Sequence, residues 1–205
     1  VTVSEYWRQH FLKMGYRNIY KIYNGFDISR FAFSDEEISD FIKRQGLGGK
    51  PIVYLGNCQK AKGIVEAYNM LKGIEAHLVT SGDRHANIGA TNLKLNYRDY
   101  LLLLKASSVV LTMSKFKEGW CRTAHEAMLC RTPVIGSGKG GMRELLEGGG
   151  QIICEDFKDL KRNVELVLNN PSKAKGLGNK GFEYAKDFTK ERFEKSWEKL
   201  LKEIL

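Results

Sequence analysis

Apolar runs of strand length alternate along the chain with segments in which apolar residues recur at helical spacing. The strand-like runs cover residues 19–23, 52–56, 76–81, 93–96, 109–113, 133–135 and 151–154, and the helix-like segments cover residues 63–72, 98–106, 122–130 and 142–147. Such alternation is typical of a parallel sheet covered by helices on both faces and joined by right-handed crossovers. The pattern therefore predicts an α/β fold whose ligands bind at the carboxyl ends of the strands.

The pattern changes after Phe157, where the strand-like runs end. Residues 157–205 are predicted to form a helical C-terminal part of the same domain. Its last stretch carries apolar residues at helical spacing, namely Phe188, Phe193, Trp197, Leu200, Leu201 and Ile204. Because a stripe of this kind usually packs against a core, we expect the terminal helix to pack on the body of the domain.

Two carboxylates eight positions apart follow the strand-like run at residues 109–113. Between Glu118 and Glu126, the residues from Gly119 to Arg122 would supply backbone amides at the start of a helix. Such N–H groups lack partners within the helix and carry partial positive charge, so they suit a phosphorylated ligand. Glu126 would lie one to two turns inside the helix and could accept hydrogen bonds from sugar hydroxyls. The arrangement can hold a nucleotide sugar.

The string from residue 118 to residue 144 closely resembles the donor-binding signature of retaining glycosyltransferases of the GT-B fold. It contains Glu-Gly-Trp-Cys at 118–121, Glu-Ala-Met at 126–128, Pro-Val-Ile at 133–135 and Gly-Gly-Met-Arg-Glu at 140–144. The family is the large glycosyl transferases group 1, which includes glycogen and sucrose synthases and lipid-linked mannosyltransferases. The resemblance implies a Rossmann-like sheet and a hexosyltransferase activity that retains anomeric configuration.

The resemblance also implies roles for individual residues. Glu126 would hold the ribose hydroxyls, while Glu118 and the amides from Gly119 to Arg122 would contact the transferred sugar. Trp120 belongs to this donor-binding stretch and is expected to pack beside the site. Cys121 stands where the family has a second glycine, at a helix start where the pKa of a thiol tends to fall. Family members usually need no bound metal, so no cofactor is expected besides the nucleotide-sugar substrate.

A second patch follows the strand-like run at residues 52–56, where basic residues lead into a helix-like segment. The family has Gly-Arg, four residues and Lys-Gly here, and its Arg and Lys neutralise the donor diphosphate. Gly56, Lys62 and Gly63 match this pattern, which implies that Lys62 steadies the diphosphate. Asn57 replaces the arginine and brings a hydrogen-bond donor without charge. We therefore expect either that Lys60 compensates or that the diphosphate binds more weakly.

The start of the chain resembles the family as well. Residues 1–5 resemble its domain-junction strand, and the stretch from Asn24 to Asp27 resembles an Asn-Gly-x-Asp turn. Residues 1–205 are therefore interpreted as the C-terminal, donor-binding half of a GT-B enzyme, with residues 1–27 as an interdomain-side segment. The acceptor-binding domain is expected to be missing, the chain to be a fragment, and the isolated domain to be inactive.

Composition adds a basic balance to this picture. The chain has 33 Lys and Arg residues against 24 Asp and Glu residues, a formal net charge of +9. This charge favours anionic partners, such as nucleoside diphosphates or lipid headgroups. No apolar run approaches the ~18 residues of a membrane span, and the first residues do not resemble a signal peptide. We expect a cytoplasmic location, and peripheral contact with a membrane stays open.

The four cysteines, at positions 58, 121, 130 and 154, show no Cys-x-x-Cys pairing and no His partners at zinc-ligand spacing. They are interpreted as reduced thiols. His125 precedes Glu126 and could be a general base. Since neighbours in a helix diverge by about 100°, a partly buried histidine on the other flank of the helix fits better.

Three other functions fit parts of the sequence. Residues 136–141 match the G-x-G-x-x-G fingerprint of a dinucleotide (NAD) site, with Glu155 about 20 residues on, although the helix between them has room for only about two turns. A non-catalytic relative that binds sugar nucleotides is the second, and Asn57 is its main support. Nucleic-acid binding rests on charge alone, because no known RNA or DNA module is present, and it is not expected.

Overall fold

Six parallel strands form a single sheet in the computed structural model, which describes residues 1–205. The strands are β1 (Ile52–Asn57), β2 (His77–Ser81), β3 (Thr91–Leu93), β4 (Val109–Thr112), β5 (Val134–Gly136) and β6 (Ile152–Ile153). Their spatial order is β3-β2-β1-β4-β5-β6, and every neighbouring pair is parallel. This is the Rossmann-like arrangement, and its winding reverses between β1 and β4, so the crevice for a ligand opens there.

Nine α-helices accompany the sheet. They are α1 (Glu5–Lys13), α2 (Asp35–Arg44), α3 (Ile64–Leu71), α4 (Tyr97–Ala106), α5 (Arg122–Leu129), α6 (Met142–Gly148), α7 (Leu160–Leu168), α8 (Pro171–Ala185) and α9 (Lys190–Ile204). Short 3-10 helices lie at Ile28–Phe31, Lys60–Lys62 and Phe157–Asp159. None of the helices combines the length and the apolar character that crossing a bilayer requires.

Alternate residues of β1 enter two separate cores. Ile52 and Tyr54 join a cluster of 23 buried residues that includes side chains of α2, α4 and α5. Val53 and Leu55 join a second cluster of 16 buried residues that includes side chains of α3 and α7. Because successive strand residues point to opposite faces, both faces of the sheet are covered. This explains why its strands appear in the sequence as continuous apolar runs.

Six of the seven strand-like runs are confirmed as strands of the sheet, and one of these six is shifted. β3 covers Thr91–Leu93 rather than residues 93–96, because Asn96 caps α4 by accepting the backbone N–H of Asp99 at 2.9 Å. The prediction for residues 19–23 is wrong, since only Lys21 pairs there, in an isolated bridge with Thr2. The strand expected at residues 1–5 is likewise absent, because the Ser4 side chain caps α1.

The C-terminal part is helical as predicted, through α7, α8 and α9. The stripe on the last helix packs on the body of the domain as expected through partly buried Phe193 and Trp197 and buried Leu200, and the expectation is wrong at the end of the helix. Of the helical positions on α9 only Leu200 is buried, and Leu201 and Ile204 are 44% and 58% exposed. The start of α9 and the residues just before it form hydrogen bonds with the N-terminal segment. The backbone of Phe26 bonds to Phe188 and to Lys190, at 2.9 Å each.

Candidate functional site

Two adjoining cavities open at the carboxyl ends of β1, β2 and β4, and they share Asn57 and Thr123. The larger has a volume of about 450 Å³, and its other lining residues are Ser81, Gly82, Leu95, Asn96, Tyr97, Tyr100 and Glu126. The smaller has about 40 Å³, and its other lining residues are Leu55, Gly56, Lys62, Leu111, Thr112, Ser114, Glu118 and Cys121. The fold thus brings both sequence patches to one cleft at the switch point of the sheet.

Glu118 and Lys62 meet in the smaller cavity. The Lys62 ammonium donates to Glu118 Oε1 at 2.6 Å, and the Ser114 hydroxyl donates to the same oxygen. Glu118 is 8% exposed, whereas the Lys62 side chain is 31% exposed. The carboxylate is therefore held from two sides, and the two charges neutralise each other.

The backbone of Glu118 is held as firmly as its side chain. Its N–H donates to the Lys139 carbonyl at 3.1 Å, and its carbonyl accepts the Gly141 N–H at 2.9 Å. A Cβ at Gly140 would lie 2.4 Å from the Glu118 carbonyl oxygen, and one at Gly141 would lie 2.0 Å from that of Gly119. Close approach to residues 118–119 therefore requires both glycines.

This packing also explains the G-x-G-x-x-G match at residues 136–141. The backbone of its last two glycines faces the chain at residues 118–119, where a dinucleotide site would need open space. Glu155 pairs with Arg143, so its carboxylate is already engaged. The following helix, α6, has only seven residues. These observations argue against the dinucleotide interpretation.

Glu126 lies in the second turn of α5, 4% exposed, with tyrosine hydroxyls on both carboxylate oxygens. Tyr97 donates to Oε1 at 3.1 Å, Tyr100 donates to Oε2 at 3.0 Å, and the Arg122 guanidinium lies 3.6 Å from Oε1. Burial raises the pKa of Glu126 above its ordinary value despite these donors. Burial and the nearby Glu126 charge raise the pKa of Tyr97 to about 12, so its hydroxyl stays a donor.

Cys121 begins α5 in the left-handed region, at φ 75°. This conformation favours glycine, the residue of the family pattern, and cysteine adopts it at a cost of about 1–2 kcal/mol. The expectation of a lowered thiol pKa is wrong. Burial, with the Glu118 charge next, raises the pKa of Cys121 to about 12. All four cysteines are buried free thiols, and no cluster of His, Cys, Asp or Glu side chains is arranged to hold a metal ion.

The side chain of Trp120 lines neither cavity. It is 2% exposed, contacts Tyr23 and Phe188, and donates its indole N–H to Nδ1 of His125 at 3.0 Å. The indole therefore packs beside the site, and only the backbone of Trp120 is left as a donor-binding group. Arg122, whose side chain is 65% exposed, reaches the site through its contact with Glu126.

His125 is fully buried rather than partly buried, and both ring nitrogens are engaged. Nδ1 accepts from Trp120, and Nε2 donates to the Ala185 carbonyl at 3.1 Å. The ring stacks on Phe26 at 4.1 Å. Burial lowers the pKa of His125 to about 4. The residue fastens α5 to α8 and has no free nitrogen for a general base.

Asn57 faces the cleft at the end of β1. The hydroxyls of Tyr54 and Ser81 lie 3.1 and 3.2 Å from its Oδ1, which leaves its NH₂ group for a ligand. Lys60 is exposed and lines neither cavity, so within the cleft Asn57 stands without Lys60 beside it in place of the family's arginine. A Cβ at Gly63 would lie 2.3 Å from the Met113 carbonyl oxygen, which gives this glycine a packing role.

The sequence profile of the family described as Glycosyl transferases group 1 matches residues 35–184, which is more than half of the chain. The chain belongs to this family. Among curated relatives of this glycosyltransferase-family chain, an uncharacterized glycosyltransferase of Methanocaldococcus jannaschii is 34% identical over 92 residues, 43% of the chain and 24% of the relative. Spore coat protein SA of Bacillus subtilis is 26% identical over 192 residues, which cover 77% of this chain and 51% of that relative.

Solved structures show the same fold. HepE of Anabaena in complex with UDP-glucose superimposes with a TM-score of 0.86 at 21% identity, over 98% of this chain and 63% of HepE. Sucrose-phosphate synthase of Thermosynechococcus elongatus superimposes with a TM-score of 0.84 at 21% identity, over 99% of this chain and 57% of the synthase. The family resemblance and the α/β fold read from the sequence are thus confirmed. The chain spans about half or less of the two curated relatives.

Proposed function

We propose that this chain binds a nucleotide sugar in the cleft and serves as the donor half of a retaining glycosyltransferase. The observation that carries the proposal is that Lys62, Glu118 and Glu126, from two distant stretches of sequence, line two adjoining cavities at the switch point of the sheet, where Lys62 pairs with Glu118. The solved structure of HepE with UDP-glucose supports it by similarity of fold. The acceptor is assigned to a further domain, and transfer by the isolated chain is expected to be absent.

The order of groups along the cleft gives the donor a direction. Glu126 would accept the ribose hydroxyls, and Lys62 with the Asn57 amide would contact the diphosphate. Glu118 and the amides of residues 119–122 would meet the transferred sugar in the smaller cavity. The nucleobase would then occupy the larger cavity beyond Glu126, near Gly82 and Leu95.

The same groups suit the bond that breaks during transfer. When the bond between sugar C1 and the diphosphate oxygen lengthens, negative charge grows on the leaving oxygen, and a preorganised cation stabilises it. Lys62 is the cation that lines the smaller cavity. Its bond to Glu118 would be exchanged for one to phosphate, and Glu118 would turn to sugar hydroxyls. The acceptor oxygen would enter on the face that the diphosphate leaves.

Asn57 favours a second candidate, a relative that binds sugar nucleotides without catalysis. An amide neutralises no phosphate charge, and no cation besides Lys62 lines the smaller cavity to replace the arginine of the family pattern.

We also propose a cytoplasmic location, with peripheral membrane contact promoted by the net charge of +9.

Isothermal titration calorimetry tests the proposal with UDP, GDP, ADP, their nucleosides, and UDP-glucose, GDP-mannose, ADP-glucose and NAD. Lys62→Ala should weaken diphosphate binding and leave nucleoside binding unchanged, while Lys60→Ala, the matched control outside the cleft, should change neither. Asn57→Arg should raise diphosphate affinity, most of all at low salt, where screening is weakest. Binding of NAD without any nucleotide sugar would refute the proposal. Equal nucleoside and diphosphate affinities, unchanged in the variants, would favour the non-catalytic relative.

A further inference from the structure

The start of the chain packs directly on the loop that carries Glu118. The indole N–H of Trp7, in the first turn of α1, donates to the Glu118 backbone carbonyl oxygen at 2.9 Å. The Gly141 N–H donates to the same oxygen at 2.9 Å. A carbonyl oxygen has two lone pairs, so these two donors saturate it.

Neighbouring residues enclose the loop from the same side. A Cβ at Gly119 would lie 3.2 Å from Val3 Cγ2, and a Cβ at Gly141 would lie 2.5 Å from Ser4 Oγ. The Glu5 N–H donates to Oε2 of Glu144 at 2.7 Å. The turn at residues 118–119 is therefore held between the N-terminal residues and the turn at residues 140–141.

The rest of α1 adds little to the core. No residue of the helix is buried, and Trp7 itself is only partly buried. The Trp7 ring packs on Tyr6, His10 and Phe11, and its N–H in addition completes the bonding of the Glu118 carbonyl. Removing the N–H would leave that carbonyl with Gly141 alone and let the turn move.

We propose that Trp7 is a positioning residue for the sugar subsite. Its hydrogen bond fixes the turn so that the Glu118 carboxylate and the amides after it meet the transferred sugar. The inference rests on the proposed function. Lys62 and Glu126 form no hydrogen bond or ion pair with α1, and the bond between Lys62 and Glu118 would be given up when phosphate binds. Loss of the indole N–H should therefore affect recognition of the sugar and leave recognition of the nucleoside diphosphate unchanged.

The test compares Trp7→Phe with the parent chain. Phenylalanine keeps an aromatic ring and removes only the N–H donor. Trp197→Phe on α9 is the matched control, because that indole is also partly exposed and makes no hydrogen bond in the structure. Calorimetry gives the affinities for UDP, GDP and ADP and for UDP-glucose, GDP-mannose and ADP-glucose. The ratio of sugar-nucleotide to diphosphate affinity is the readout, because a general loss of folding would not alter it.

We expect Trp7→Phe to lower this ratio by about two- to tenfold, the range for loss of one hydrogen bond, with diphosphate affinity unchanged. Trp197→Phe should leave the ratio at the parent value. An unchanged ratio in Trp7→Phe would overturn the inference alone, and so would an equal loss of affinity for both ligand classes. A parent chain that binds diphosphates and sugar nucleotides equally would overturn the role assigned to Glu118 and this inference with it.

Discussion

Replacing Glu126 by Gln tests the ribose contact at the buried carboxylate of the larger cavity. The change keeps the shape of the side chain, removes its charge and turns one acceptor oxygen into a donor NH₂ group. Both carboxylate oxygens accept tyrosine hydroxyls, from Tyr97 and Tyr100, and Arg122 approaches Oε1. The substitution therefore alters every hydrogen bond that this group can offer to a ligand.

The size of the effect follows from those contacts. An ionised carboxylate has about four acceptor positions, and the two tyrosines and Arg122 use up to three of them. A ribose diol needs two, so Tyr97, which is 43% exposed, would have to give up its bond when a nucleotide binds. The net gain is then about one charge-assisted hydrogen bond, worth about 1.5–3 kcal/mol. We expect Glu126→Gln to weaken UDP binding by roughly 10- to 150-fold.

Calorimetry with UDP and 2′-deoxy-UDP isolates the contact. The parent should prefer UDP, because the deoxy ligand lacks one of the two hydroxyls, and the preference should largely disappear in Glu126→Gln. Glu165→Gln is the control, since this half-exposed glutamate on α7 carries the same charge and lines neither cavity. It should bind both ligands like the parent.

The pH dependence has a defined sign. Burial raises the pKa of Glu126, so its proton is bound at higher pH than on an ordinary carboxylate, and UDP affinity should fall earlier on acidification than for an exposed carboxylate. The raised pKa also means that the ionised form costs folding free energy, so Glu126→Gln should gain thermal stability at neutral pH and lose that advantage in acid. A variant that binds UDP and deoxy-UDP like the parent would refute the assignment.

Two further predictions concern the scaffold of the site. Gly63→Ala should lower the free energy of unfolding by about 2 kcal/mol or more, because residue 63 has φ 72° and its Cβ would meet the Met113 carbonyl. The control Gly176→Ala, where the Cβ would point into open space on α8, should raise it by about 0.5–1 kcal/mol. Burial lowers the pKa of His125 from 6.5 to about 4, so the unfolded chain takes up a proton at a higher pH than the folded one. The free energy of unfolding of the parent should therefore fall by up to about 3 kcal/mol between pH 6.5 and pH 4, and His125→Gln should not show this fall. Urea unfolding at several pH values checks both, and parallel pH profiles for parent and His125→Gln would contradict the second.

The sheet could be predicted because its strands are buried on both faces. Residues such as Val53 and Tyr54 enter different cores, so β1 appears in the sequence as an unbroken apolar run. The run at residues 19–23 looks similar and fails as a strand, since it has only Thr2 as a bridge partner. A short apolar run indicates that a segment is buried, but it does not indicate whether a neighbouring strand is present to pair with it. The start of α2 has a sequence signal as well, because Ser34 and Glu37 have the spacing of a capping box, and both bonds of that box are present.

The site was predictable where one motif fixes several residues at once. Lys62, Glu118 and Glu126 were found in this way, and the structure places them in one cleft. Tyr97 and Tyr100 were not found, because they reach Glu126 only through the packing of α4 against α5. They follow β3 closely in the chain, so inspection of the residues after each predicted strand could have revealed them. The pKa of Cys121 was predicted in the wrong direction because burial outweighs the helix terminus.

The pairing of Phe26 with Phe188 and Lys190 has a consequence for the way the chain folds during synthesis. The two partners lie more than 160 positions apart, and the bond from Trp7 to the Glu118 carbonyl spans 111 positions. Contacts of such high sequence separation form slowly and only after both partners exist. During synthesis at about 5–20 residues per second, residues 1–27 are made well before α9 and wait for it. The stretch around Phe26 is therefore among the last parts of the domain to become anchored, so a chain interrupted before residue 188 would keep the Phe26 backbone unpaired and open to chaperones and proteases.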